Sequence, residues 1–71
     1  MDEKMRRVLM VFTHMNSDTL DLHTLFEAEG NVTVAREEVI DTVARLVGEG
    51  YLQEQGSDFY SLTERGREAV R

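Results

Sequence analysis

No cysteine occurs among the 71 residues, and this limits the possible folds more than any other feature. A chain so short buries only about 60% of the surface it exposes when unfolded, and many such domains add disulfides or a thiolate-bound metal. Neither support is open here, so a single domain spanning 1–71 has to be held by one apolar core. Hydrophobic residues make up 41% of the chain, enough to build one. The same absence removes cysteine–zinc fingers, iron–sulfur clusters and thiol catalysis. A core of this size leaves no room for a large internal catalytic cleft. Proline is also missing, so nothing forces a kink inside a helix. The longest apolar run, Val8 to Phe12, falls far short of the ~20 residues of a membrane span. The acidic opening Asp2-Glu3 lacks the basic start of a secretory signal, so the expected location is the cytoplasm, without membrane contact.

Apolar spacing predicts a first helix over 2–15, with Met5, Val8, Leu9, Phe12 and Met15 on one stripe. Asn16-Ser17-Asp18 reads as a turn, and Thr19-Leu20 as a possible very short strand. Asp21 is the expected N-cap of a second helix over 22–29, with Leu22, Leu25 and Phe26 inward and Gly30-Asn31 at its end. The third helix is expected from about Ala35, or from Thr33 by capping preference, to Glu49. Val39, Val43, Leu46 and Val47 form its buried face, and Gly48 and Gly50 mark its end. Tyr51–Gln55 and Phe59–Leu62 read as two strands joined by a three-residue turn, Gly56-Ser57-Asp58. Thr63 is the expected N-cap of a last short helix over 64–70. The fold class is therefore α+β, mainly α, with three helices, a two-stranded hairpin and a short C-terminal helix.

Specific residues carry a family resemblance. Val43-Ala44-Arg45-Leu46-Val47-Gly48-Glu49-Gly50-Tyr51-Leu52 looks like a recognition-helix end of the form L-x-x-L-x-x-x-G-[aromatic or aliphatic]-[aliphatic]. Tyr60-Ser61-Leu62-Thr63-Glu64-Arg65-Gly66 looks like a second wing strand and closing turn, Y-x-L-T-x-x-G. In tandem they resemble the winged helix-turn-helix domains of MarR- and PadR-type bacterial and archaeal regulators, over about residues 3–71 with most weight on 39–66. The resemblance implies that the exposed side of the third helix enters the DNA major groove. Here that side holds Arg36, Glu37, Ile40, Asp41 and Ala44, with Arg45 at its edge. The wing tip is then Gln55, Gly56, Ser57 and Asp58. Many members of the family dimerise through terminal helices, which implies a homodimer with Met5, Leu9 and Phe12 near the seam. Met1, Met10, Val11 and Ile40 are apolar residues beyond what one buried stripe needs, which also favours association. Gly50 is expected to turn the chain left-handed, and Gly66 to let the last helix approach its neighbour.

Charge runs against the DNA role. Asp and Glu number 14 against 8 Lys and Arg, for a net charge of −6, and the basic set is seven Arg with the single Lys4. Both a salt-rich cytoplasm and a GC-rich genome produce such a composition. Glu37 and Asp41 would meet phosphates or base edges, and family wings usually carry Arg or Lys where this one carries carboxylates. Lys4, Arg6 and Arg7, with Arg65, Arg67 and Arg71, are expected on solvated faces with pairs such as Glu3–Arg7 and Glu64–Arg67. No cofactor or metal is expected. Asp18, Asp21 and His23 have poor ligand spacing, and Ser17, Ser57 and Ser61 have no histidine in relation to them. Glu37, Glu38 and Asp41 are surface carboxylates rather than an acid–base pair, so no enzyme is expected. The leading expectation is a dimeric DNA-binding transcriptional regulator. The alternative is an acidic winged-helix protein-interaction module that does not touch DNA.

Overall fold

The computed structural model describes residues 1–30 and 32–71. Asn31, expected in the turn after Gly30, lies outside the described residues. The elements run α1 (Glu3–His14), β1 (Thr19–Asp21), α2 (Leu22–Ala28), α3 (Thr33–Gly48), β2 (Leu52–Gly56), β3 (Phe59–Leu62) and α4 (Glu64–Ala69). The domain is α+β and mainly helical, with the strands in one antiparallel sheet of order β1-β3-β2. The short strand read at Thr19-Leu20 forms, extends to Asp21, and joins the expected hairpin as a third strand. Thr19, Leu20 and Asp21 pair with Ser61, Tyr60 and Phe59. Two further backbone bonds extend this ladder, Leu62 N–H to Asp18 C=O at 2.8 Å and Leu22 N–H to Asp58 C=O at 2.8 Å.

Local chemistry sets the helix ends. Asp2 is the N-cap of α1 rather than part of its first turn, and its carboxylate accepts from the Met5 N–H at 2.9 Å. That hydrogen bond, followed by one from Arg45, holds Asp2 below its ordinary pKa of 3.8. Its contribution is present above the ordinary value and is lost as the pH falls through the lowered one. At the far end Asn16 has φ 52° and donates to Thr13, while the Ser17 N–H reaches back to Phe12. Helix α3 ends the same way. Gly50, at φ 84°, donates to Val47 at 3.1 Å, and the Tyr51 N–H donates to Leu46 at 2.9 Å. This pair of bonds is the Schellman motif, and it confirms the role expected of Gly50. The start of α3 has no side-chain cap. Val32 occupies the N-cap and Thr33 is already helical.

Amphipathic faces then meet. Helix α1 packs chiefly on α3, and Val8, Val39, Val43 and Leu46 are buried with Leu25 of α2 and Leu20, Leu52 and Leu62 of the sheet. Met5, Leu9 and Phe12 belong to this same core, at 1%, 0% and 1% exposure. Those side chains hold α1 against the rest of their own chain and leave almost no surface to offer a second copy. Met15, expected on the buried stripe, is 54% exposed, since α1 ends one residue before it. Thr42, which the apolar spacing passed over, is buried between Val39 and Leu46 on the inner face of α3.

The turn between β2 and β3 also differs from expectation. Gly56 pairs with Phe59 inside the ladder, and Gln55 is the extra residue of a bulge between Glu54 and Gly56. Only Ser57 and Asp58 form the turn, with φ 52° and 63°. Two central residues at positive φ define a type I′ hairpin, which favours Asn-Gly. Ser57→Asn combined with Asp58→Gly is therefore expected to stabilise the domain by about 1 kcal/mol. A thermal melt should rise by about 4–8 °C. A fall in the midpoint would show that the turn has another geometry.

Candidate functional site

Helical period turns Val39, Thr42, Val43 and Leu46 inward and leaves the other side of α3 to solvent. Arg36, Glu37, Ile40, Asp41, Ala44 and Arg45 are all exposed, the disposition expected of them. Ile40 is 48% exposed, although it is a large apolar side chain. It does not stand on a flat surface. Between α3, the first residue of α2 and the sheet lies a groove of about 280 Å³. Ile40, Val43, Ala44 and Val47 form its helical wall, Leu22 closes one end, and Glu54 and Tyr60 come from the sheet. Glu54 and Tyr60 are direct cross-strand partners on β2 and β3, so the register itself brings a carboxylate to the groove. Burial first, and then the Glu54 and Asp58 carboxylates, hold the Tyr60 phenol above its ordinary pKa of 10.0. The groove is therefore apolar along its helical wall and negative along the hairpin.

Apart from Arg36 on α3, the following cations point away from the groove. Arg45 turns to the start of α1, where its Nη1 lies 2.7 Å from Asp2 Oδ2. Lys4 Nζ lies 3.4 Å from Glu38 Oε2, and Arg7 pairs with Glu29, the C-cap of α2, rather than with Glu3. Arg65 stacks over the Tyr51 ring at 4.4 Å and donates to its hydroxyl at 3.2 Å. Arg67 donates to the Leu62 carbonyl at 3.2 Å and sits beside Phe12, Thr13 and Asn16 at the C-terminal end of α1. Lys4 and Arg7 stand near the opposite end of α1 from Arg67. Exposed pairs of this kind add little to stability, and their main effect is to neutralise charge locally. None of these partners was legible from local spacing. Asp2 and Arg45 are 43 residues apart, and only the packing of α1 on α3 brings them together.

The residues considered for metal binding separate. Asp21 accepts a hydrogen bond from the Thr24 hydroxyl, the leading cause of its lowered pKa, and makes no cap bond to the backbone. His23 Nε2 faces Glu27 at 3.3 Å. Among the described residues no three His, Cys, Asp or Glu side chains converge on a common point. Among the same residues no helix is long and apolar enough to cross a membrane. Comparison with family models, with curated proteins and with solved structures gives no match for this chain.

Proposed function

We propose that the chain is a cytoplasmic winged-helix domain whose α3–hairpin face docks a protein partner, without catalysis. Support for the winged-helix plan comes from three helices followed by a hairpin. The two motifs lie where the resemblance needs them: Leu46–Leu52 forms the capped end of α3 and the start of β2, and Tyr60–Gly66 joins β3 to α4. The observation that carries the protein reading is the chemistry of the exposed face. Glu37 and Asp41 flank Ile40 and Ala44 on α3, and the hairpin adds Glu54 and Asp58. Duplex DNA presents about one negative charge per 1.7 Å, and DNA-binding faces neutralise several phosphates with Lys or Arg. This face repels such a ligand, while its apolar groove suits a protein.

A second reading, a DNA-binding regulator acting as a dimer, is favoured by one observation: Arg36 is exposed on α3, on the side that would enter the major groove. Its seam would have to use exposed apolar residues such as Met1 and Met15, at 56% and 54% exposure, since Met5, Leu9 and Phe12 are internal.

Titration with random duplex DNA across salt separates the two. The expected result is no saturable binding near physiological salt. Glu37→Gln with Asp41→Asn should raise non-specific affinity, because repulsion is removed. Saturable binding whose logarithmic salt slope flattens by about 0.9 in Arg36→Ala would establish the DNA reading instead. A photo-crosslinking residue placed at exposed Ala44 is expected to give a protein adduct in cells and no nucleic-acid adduct.

A further inference from the structure

The chemistry of the partner can be read from the groove, given that the face docks protein. We infer that it seats a basic amphipathic segment, with an apolar side chain lodged against Ile40, Ala44, Val47 and Tyr60 and Lys or Arg residues facing Glu37, Asp41 and Glu54. Three observations converge on this occupant.

The first is size. The groove holds about 280 Å³ and is open to solvent. Small-molecule sites usually enclose roughly 300–1,000 Å³ and bury most of the ligand. A groove of similar volume that stays open cannot bury a small ligand in this way, but it accommodates anchoring side chains of a larger partner, in the manner of an amphipathic helix laid along a groove.

The second is the arrangement of apolar surface. Ile40, Ala44 and Val47 recur at helical spacing on one side of α3, with Val43 beneath them and Leu22 at the end. They form a continuous apolar strip rather than a single exposed residue. Tyr60, half-buried on β3, completes the opposite wall.

The third is charge complementarity. Glu37 stands three residues before Ile40, and Asp41 three before Ala44, so both carboxylates border the strip. Glu54 lies in the groove wall itself. Arg36 is the cation nearest Ile40 along the helix, and Arg45 is drawn away to Asp2. A second copy of this chain that presented the same α3–hairpin face would meet like charge at the rim, Glu37, Asp41 and Glu54 against their own counterparts. An acidic peptide is disfavoured for the same reason. A basic segment gains attraction at the rim and desolvation in the groove, and its apolar anchor determines whether it stays.

The test uses the folded domain and four labelled probes, read by fluorescence anisotropy. One is a peptide of Leu and Lys in helical period. The second replaces Lys by Glu, the third replaces Leu by Ser, and the fourth is random duplex DNA. The Leu–Lys peptide is expected to bind saturably at physiological salt, with the Leu–Glu peptide silent and the Ser–Lys peptide weaker by about tenfold or more. Ile40→Ser should weaken Leu–Lys binding by about tenfold while leaving the thermal midpoint near that of the parent, because the side chain is exposed. Glu54→Gln and Glu37→Gln should weaken it less and reduce its salt dependence. Equal binding of the Ser–Lys peptide, no effect of Ile40→Ser, or no binding of the Leu–Lys peptide would each overturn the inference. Preference for the Leu–Glu peptide would overturn the basic chemistry and leave protein docking standing. DNA binding that weakens in Arg36→Ala would instead remove the protein-docking reading beneath it.

Discussion

Gly66→Ala is expected to destabilise the domain by about 2–5 kcal/mol, against the sign that helix propensity alone gives. Gly66 is in α4, where replacing glycine by alanine in an ordinary exposed helix gains about 1 kcal/mol. Here a Cβ would lie 2.1 Å from the Tyr51 carbonyl oxygen and 3.1 Å from Leu62 Cδ2. The carbonyl belongs to backbone that cannot rotate aside, because Tyr51 is fixed on both sides. Its N–H closes the α3 cap on Leu46, and its oxygen accepts from the Thr63 N–H at 3.2 Å. Thr63 is tied to the same turn. Its hydroxyl donates to the Gly50 carbonyl at 2.6 Å and accepts from the Gly66 N–H at 3.0 Å. Relieving the overlap requires α4 to move off the turn. That breaks the Thr63–Tyr51 bond and uncovers Leu62, with Ala69 and Val70 of the last segment. Overpacking costs about 1–3 kcal/mol, and each lost hydrogen bond about 1 kcal/mol more. Urea denaturation should show a midpoint lower by about 2 M or more. A midpoint equal to or above the parent would mean that α4 does not pack as described.

This close approach also shows which parts of the fold were legible in the sequence. The Gly50 cap of α3 and the Thr63–Gly66 cap of α4 act through near neighbours along the chain, and a motif can encode such roles; the approach of Gly66 to Tyr51 joins the two motifs across 15 residues. The apolar spacing of α1 and α3 gave the core for the same reason, because helical period is a local property. Strand β1 was half legible: Thr19-Leu20 read as a very short strand, but nothing local named its partner. Three residues are too few for an alternating pattern, and its partner β3 lies some forty residues away. The bulge at Gln55 was hidden because a Gly-Ser-Asp turn and a Gly56 ladder pair have the same composition. Only the register tells them apart. At the candidate site, the exposed face of α3 was legible residue by residue. The groove was not. Glu54 and Tyr60 reach Ile40 only through hairpin pairing and the packing of β2 on α3. The destinations of Arg45, Lys4 and Arg7 were likewise set by tertiary packing, and they change what the face can bind.

The phase of α3 underlies both the core and the groove, and it can be tested on one helix with two substitutions. Leu46 is 0% exposed and Ile40 is 48% exposed. Leu46→Ala is expected to cost about 2–5 kcal/mol, the usual range for a buried leucine whose surroundings collapse only partly. Collapse should be limited here. Leu46 lies where α3 meets both α1 and β2, and its own carbonyl is held by the Tyr51 N–H at 2.9 Å. A domain of this length has a total stability of roughly 4–11 kcal/mol, so the loss removes a large share of it. At about 4–8 °C per kcal/mol, the thermal midpoint should fall by more than ten degrees, to the point of partial unfolding at room temperature if the parent is at the low end. Ile40→Ala, six residues earlier, should change stability by about 1 kcal/mol or less, because the side chain gives up little buried surface. Equal effects of the two changes, or a larger one at Ile40, would mean that α3 is rotated about its axis. Ile40 would then belong to the core, the groove would lose its apolar wall, and neither a protein partner nor a basic segment would have an anchor there.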